Sequence, residues 1–115
     1  MSKSPPRVNR FADLTFNPRF EYGDQAAAVQ ICGPDDMSEL AAGFGRLTNA
    51  RFAWTIKYDE IIIVLEGELT IYTGGETLTA GKHDSIWLPA GTELEYAAKD
   101  ALISFAIHPA NWADT

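Results

Sequence analysis

The stretch from Trp54 to Gly91, WTIKYDEIIIVLEGELTIYTGGETLTAGKHDSIWLPAG, constrains the fold more than any other part of the chain. Ile61 to Leu65 is apolar at every position, which means a strand covered on both faces. One face belongs to a barrel lumen, and the other to a second layer or a partner subunit. Glu66-Gly67 ends it, and Leu69, Ile71 and Thr73 then alternate with their neighbours. Gly74-Gly75 reads as a hairpin turn with freedom for positive φ. Upstream, Phe52, Trp54 and Ile56 alternate with Arg51, Ala53 and Thr55, the period of a strand with one face inward.

The same rhythm extends along the chain. Ala26–Ile31, Leu40–Leu47, Thr77–Thr79, Ser85–Leu88, Glu93–Tyr96 and Ala101–Ile107 read as further short strands, with Gly43 and Gly45 marking a bend or bulge. Leu14–Phe16 and Phe20–Tyr22 are candidate edge segments, broken by Pro18 and Gly23. Regular short strands without long helical periods predict a sandwich or barrel rather than βαβ units. Residues 1–10 are polar and hold Pro5-Pro6, so they read as a flexible arm ahead of one domain spanning residues 11–115.

Composition removes several function classes. With a net charge of -7, the chain has no clustered Lys and Arg with which to neutralise phosphates, so a nucleic-acid partner is not expected. No apolar run has the length of a membrane span, and the N-terminus lacks the apolar core of a signal peptide, so a cytoplasmic protein is expected. Cys32, the single cysteine, forbids an intrachain disulfide and reads as a small buried hydrophobe.

Glu60 and Gly67, in the pattern E-x6-G, and Pro89-Ala90-Gly91 resemble the two signature motifs of the cupin superfamily. That resemblance implies an all-β, double-stranded β-helix barrel of jelly-roll type, with about eight to ten strands. It also implies a homodimer. In the full motifs a His-x-His pair precedes the glutamate, and a third histidine follows the Pro-x-Gly glycine by three positions. Here Trp54 and Ile56 stand at the first two positions and Leu94 at the third. Only Glu60 survives of the implied ligand set, and one carboxylate does not hold a transition metal tightly. No metal cofactor is expected. His83, in the turn Gly81–Asp84, reads as a surface residue, and His108 faces either the lumen mouth or solvent.

A narrower resemblance rests on FAWTIKYDEIIIVLEGEL and HPANW, which look like the cupin domain of the ethanolamine-utilisation EutQ family. It implies a place in ethanolamine catabolism, often with microcompartments. An acetate kinase activity is attributed to that family, but no P-loop is found here.

In the cupin register Trp54, Ile56, Glu60, Leu94 and Tyr96 point into the barrel and Tyr58 sits at a turn beside it. These residues predict a small apolar pocket for an organic ligand, with His108 a further candidate at its mouth. Glu60, with Tyr58 or Tyr96 as proton partner, is the candidate general acid/base, against the alternative of a satisfied structural carboxylate. Trp54 either stacks on a ligand or plugs the lumen; Trp87 reads as core and Trp112 as a docking residue near the C-terminus. Two other functions remain open: a non-catalytic sensing or structural partner in a metabolic pathway, and an atypical metal-dependent cupin.

Overall fold

The computed structural model describes residues 2–19 and 22–114, apart from the side chain of Asp114. The eight strands are β1 (Asn17–Pro18), β2 (Ala26–Cys32), β3 (Ala41–Thr55), β4 (Asp59–Gly67), β5 (Leu69–Thr73), β6 (Glu76–Ala80), β7 (Ser85–Leu88) and β8 (Glu93–His108). Single turns of 3-10 helix lie at Phe11–Asp13, Pro34–Asp36 and Trp112–Asp114.

Two long antiparallel strands build the barrel. β3 and β8 pair from Ala41↔Ile107 to Thr55↔Glu93. The other edge of β8 is shared: its first part pairs with β5 (Ile71↔Tyr96) and its second with β4 (Ile62↔Phe105). β2 then extends one side through β3, β7 extends the other through β4, and β6 covers β5.

Burial shows how the long strands turn the corner between the two halves. In β3 the odd positions from Ala41 to Leu47 are buried; from Ala50 onward the even positions face in. In β8 the phase changes at the same level, with Leu94 and Ala98 buried before Lys99-Asp100 and Ala101, Ile103 and Ile107 after. Asn49 lies at this corner with φ 44°, a conformation that asparagine tolerates better than most residues. The polar AAKD segment therefore reads in sequence as a gap between two strands. In the structure its backbone continues in the ladder, through Ala97 with Arg51, Ala98 with Ala50 and Asp100 with Thr48.

Similarly, Leu40–Leu47 and the Phe52–Ile56 run are one strand, and Gly43 is not a bend. A Cβ at Gly43 would come within 2.1 Å of the Val29 carbonyl oxygen, so glycine lets β2 approach closely. The irregularity lies on the β2 side, between Gln30 and Cys32. Gly74 and Gly75 turn the β5–β6 hairpin at φ 56° and 79°, as the sequence implies. Among the expected edge segments, Leu14–Phe16 forms no strand, whereas Phe20 and Glu21 lie outside the described residues.

The N-terminal segment has no regular strand before β1, but it has anchors. The Arg7 guanidinium donates to both carboxylate oxygens of Asp36 and to the Ile31 carbonyl. The core lies inside the barrel, where Ile56, Ile62, Val64, Leu69, Ile71 and Leu88 are almost fully buried.

On the outer face of β4 no second layer of this chain covers the apolar side chains among the described residues. Ile61 and Ile63 are 37% and 40% exposed, and Trp87, opposite Ile61 on β7, is 60% exposed rather than core. Ser85-Ile86-Trp87-Leu88 alternates, and Ile86 and Leu88 take the inward positions. An aromatic one residue out of phase must then point outward.

Candidate functional site in the barrel cavity

The link between β3 and β4 carries the site. Ile56 N–H donates to the Thr92 carbonyl, and its own carbonyl accepts from Gly91 N–H. The Asp59 carboxylate accepts Ala90 N–H at 2.9 Å. The Pro89-Ala90-Gly91 turn is thus bolted to the segment that delivers Trp54, Tyr58 and Glu60, the physical reason for the two motifs to occur together.

Trp54, Tyr58, Glu60 and Tyr96 come together around a cavity of about 380 Å³. Sequence reading left the direction of Tyr58 open; its ring is buried and packs against Trp112 with centroids 5.1 Å apart. The Trp54 indole N–H donates to the Tyr58 hydroxyl at 3.4 Å, a long bond that fixes both rings. Phe52 stacks on Tyr22 at 4.4 Å and tilts against Tyr96 at 5.4 Å, which completes an aromatic wall.

Glu60 is the buried charged residue of this barrel, only 6% exposed, and its Oε1 has no hydrogen-bond partner among the described residues. Burial pushes its carboxyl up to about 7, while the positive charge of Arg19 pulls in the opposite direction. The same burial raises Tyr58 and Tyr96, and the Glu60 charge adds to both. Both phenols are therefore neutral hydroxyl donors near neutral pH.

Three pocket residues expected from the sequence are elsewhere. Ile56 and Leu94 are buried in the core but do not line this cavity. His108, at the end of β8, is exposed, and its Nε2 lies 3.7 Å from Glu39 on the surface. The alternation that turns Ile107 inward turns His108 outward. The lining residues beyond the sequence expectation include Phe52, Arg19, Tyr22 and Trp112. Phe52 was legible in principle, being in phase with Trp54. Arg19 and Tyr22 arrive from the chain around β1, for which no local pattern announces a lumen position.

Comparison with known proteins decides the relationship. The sequence model for "Ethanolamine utilisation protein EutQ" matches residues 11–114. The chain belongs to the EutQ family. It is 42% identical over 79 residues to a protein of Escherichia coli K12 named acetate kinase EutQ, covering 68% of this chain. That segment spans only 34% of the E. coli protein's length. A crystal structure of an ethanolamine utilization protein Q from Salmonella typhimurium LT2 superposes with a TM-score of 0.84 at 32% identity, over 90% of this chain and 86% of that one. The cupin-2 domain of an XRE family transcriptional regulator from Enterobacter cloacae superposes with a TM-score of 0.64 at 16% identity, over 73% of this chain and 96% of that one. At that identity the match speaks to fold alone. This EutQ-family chain is an all-β cupin barrel.

The residues present do not fit the divalent-metal centre of the cupin pattern. Trp54, Ile56 and Leu94 offer no strong donor, and no group of three or more His, Cys, Asp or Glu side chains converges among the described residues. His83 and His108 are both exposed. A single carboxylate in an apolar cavity is a poor transition-metal site. No helix among the described residues is long and apolar enough to cross a membrane.

Proposed function

We propose that this EutQ-family cupin binds a small polar metabolite in its barrel cavity without a metal, with Glu60 as the central recognition group. The observation that carries this reading is the buried, unpartnered Glu60 Oε1 within an aromatic wall. A polar atom left unsatisfied in a protein interior is destabilising by roughly 1–3 kcal/mol, so it marks the place where a ligand group gains most. A carboxyl at about 7 also has both protonation states populated near neutral pH, which is the condition for efficient general acid or base catalysis. The neutral hydroxyls of Tyr58 and Tyr96 supply hydrogen bonds or a proton relay beside it.

The kinase activity in the name of the E. coli relative belongs to a protein about three times longer than the matched segment. The sequence holds no P-loop for a nucleoside triphosphate, so the reading here is a ligand-binding, proton-exchanging domain of the family. The exposed Ile61–Ile63–Trp87 face supports a homodimer, because a sheet face of this kind gains by being covered.

The test is thermal stabilisation by small amines, carbonyl compounds and carboxylates, with wild type beside Glu60→Gln. Compounds that stabilise wild type and lose their effect in the variant support the proposal. Equal stabilisation of both proteins, or none by any compound, would sink it.

A further inference from the structure

We infer that the inner end of the cavity is a site for a small aliphatic primary ammonium group, held between the Glu60 carboxylate and the faces of the surrounding aromatic rings. This inference rests on the binding role proposed above and names the chemistry of the ligand.

Two independent features point to a cation rather than to an acceptor group. The first is Glu60 itself: a side chain more than nine-tenths buried, lining the cavity, with an oxygen that no donor of the described residues reaches. An ammonium carries three N–H donors and a charge opposite to the carboxylate, so it satisfies that oxygen and stabilises the ionised form together. The second is the wall. Phe52, Trp54, Tyr58 and Tyr96 surround one volume of about 380 Å³, and aromatic faces attract cations, most strongly where water is excluded. The phenols of Tyr58 and Tyr96 stand ready to donate to a second polar group on the same molecule.

The other charged groups around this volume are Arg19, beside β1, and Arg46 of β3. Arg46 is exposed and its guanidinium lies 5.8 Å from the Phe16 ring, on the outer side. Arg19 acts on Glu60 as a positive charge that favours the ionised carboxylate, while burial favours the neutral acid, and an ammonium seated against Glu60 adds to the first effect. A bifunctional ligand would place its ammonium at Glu60 and any anionic or hydroxyl group toward Arg19.

The experiment compares three probes with the same three-carbon chain, propylammonium, propionamide and propionate, by thermal shift on the full chain at matched ionic strength. Propylammonium is expected to raise Tm by roughly 5 °C at about ten times its Kd. Its affinity should rise close to tenfold per pH unit below pH 7 and level off above, because it selects ionised Glu60. Glu60→Gln, whose own melting curve reports that it folds, should lose the effect. If propionamide or propionate stabilises in a Glu60-dependent way and propylammonium does not, the cation assignment is wrong while the pocket stands. Affinity for propylammonium that falls with rising pH also overturns it. No shift from any of the three overturns both.

Discussion

Replacement of Glu60 by Gln should stabilise this protein at alkaline pH and leave it nearly unchanged in acid. The reasoning starts from burial. In the folded state the Glu60 carboxyl sits at about 7, against an ordinary value of 4.5. The folded chain therefore holds this proton more tightly than the unfolded chain does. The stability it contributes is complete below about pH 4.5 and is lost as pH rises through about 7. At about 1.4 kcal/mol per pH unit, the fold pays up to about 3 kcal/mol for an ionised Glu60 at pH 8. Gln has the shape of the protonated acid and does not ionise, so it escapes that cost. Urea unfolding of both proteins at about pH 5, 6, 7 and 8 measures the difference directly. Other titrating groups, such as Asp36, whose carboxyl the Arg7 guanidinium holds well below the usual range, act equally in both proteins and cancel. The variant should gain on wild type by about 2–3 kcal/mol between the extremes. A difference that stays flat within about 1 kcal/mol, or runs the other way, would show that Glu60 is solvated or paired in the folded protein.

Three further outcomes follow from the same structure. Gly67→Ala should destabilise by about 2 kcal/mol or more, since Gly67 has φ +77° and an added Cβ would fall 2.0 Å from the Asp100 carbonyl oxygen. A change within about 0.5 kcal/mol by urea unfolding would mean that the end of β4 relaxes freely. Trp87→Asp should convert a two-chain species to one chain in analytical ultracentrifugation while Tm changes little; a wild type already sedimenting as one chain refutes the interface. Elemental analysis of purified protein should find no stoichiometric transition metal, and chelation should leave Tm in place. Near-stoichiometric metal lost with a fall in Tm would reverse the reading of Trp54, Ile56 and Leu94.

Much of the barrel was legible in the chain because strand patterns are local. Ser85–Leu88 coincides with β7, Leu69–Thr73 with β5, and Gly74-Gly75 with the hairpin turn between β5 and β6. The motif residues were legible too, since Glu60, Gly67 and Pro89-Ala90-Gly91 stand at the spacing that carries the cupin resemblance. What misled was phase. A strand that turns a corner exchanges its inward and outward residues, so β3 and β8 each looked like two strands. Trp87 reads as core by residue type alone, although its alternation with Ile86 and Leu88 turns it outward.

By itself, then, the sequence determined an all-β chain of short strands, because strand periodicity is local, and its resemblance to the cupin motifs implied a lone carboxylate, Glu60, where a metal set would stand. Only the tertiary structure decided what surrounds that carboxylate. Arg19 and Tyr22 from the start of the chain, Phe52 and Tyr96 from the two long strands, and Trp112 from the end of the chain converge on one cavity. Long-range strand pairing places them there, and no local pattern records which distant residues will share a wall. The same convergence determines the protonation of Glu60, since the burial that raises its carboxyl belongs to the assembled barrel and not to any stretch of chain.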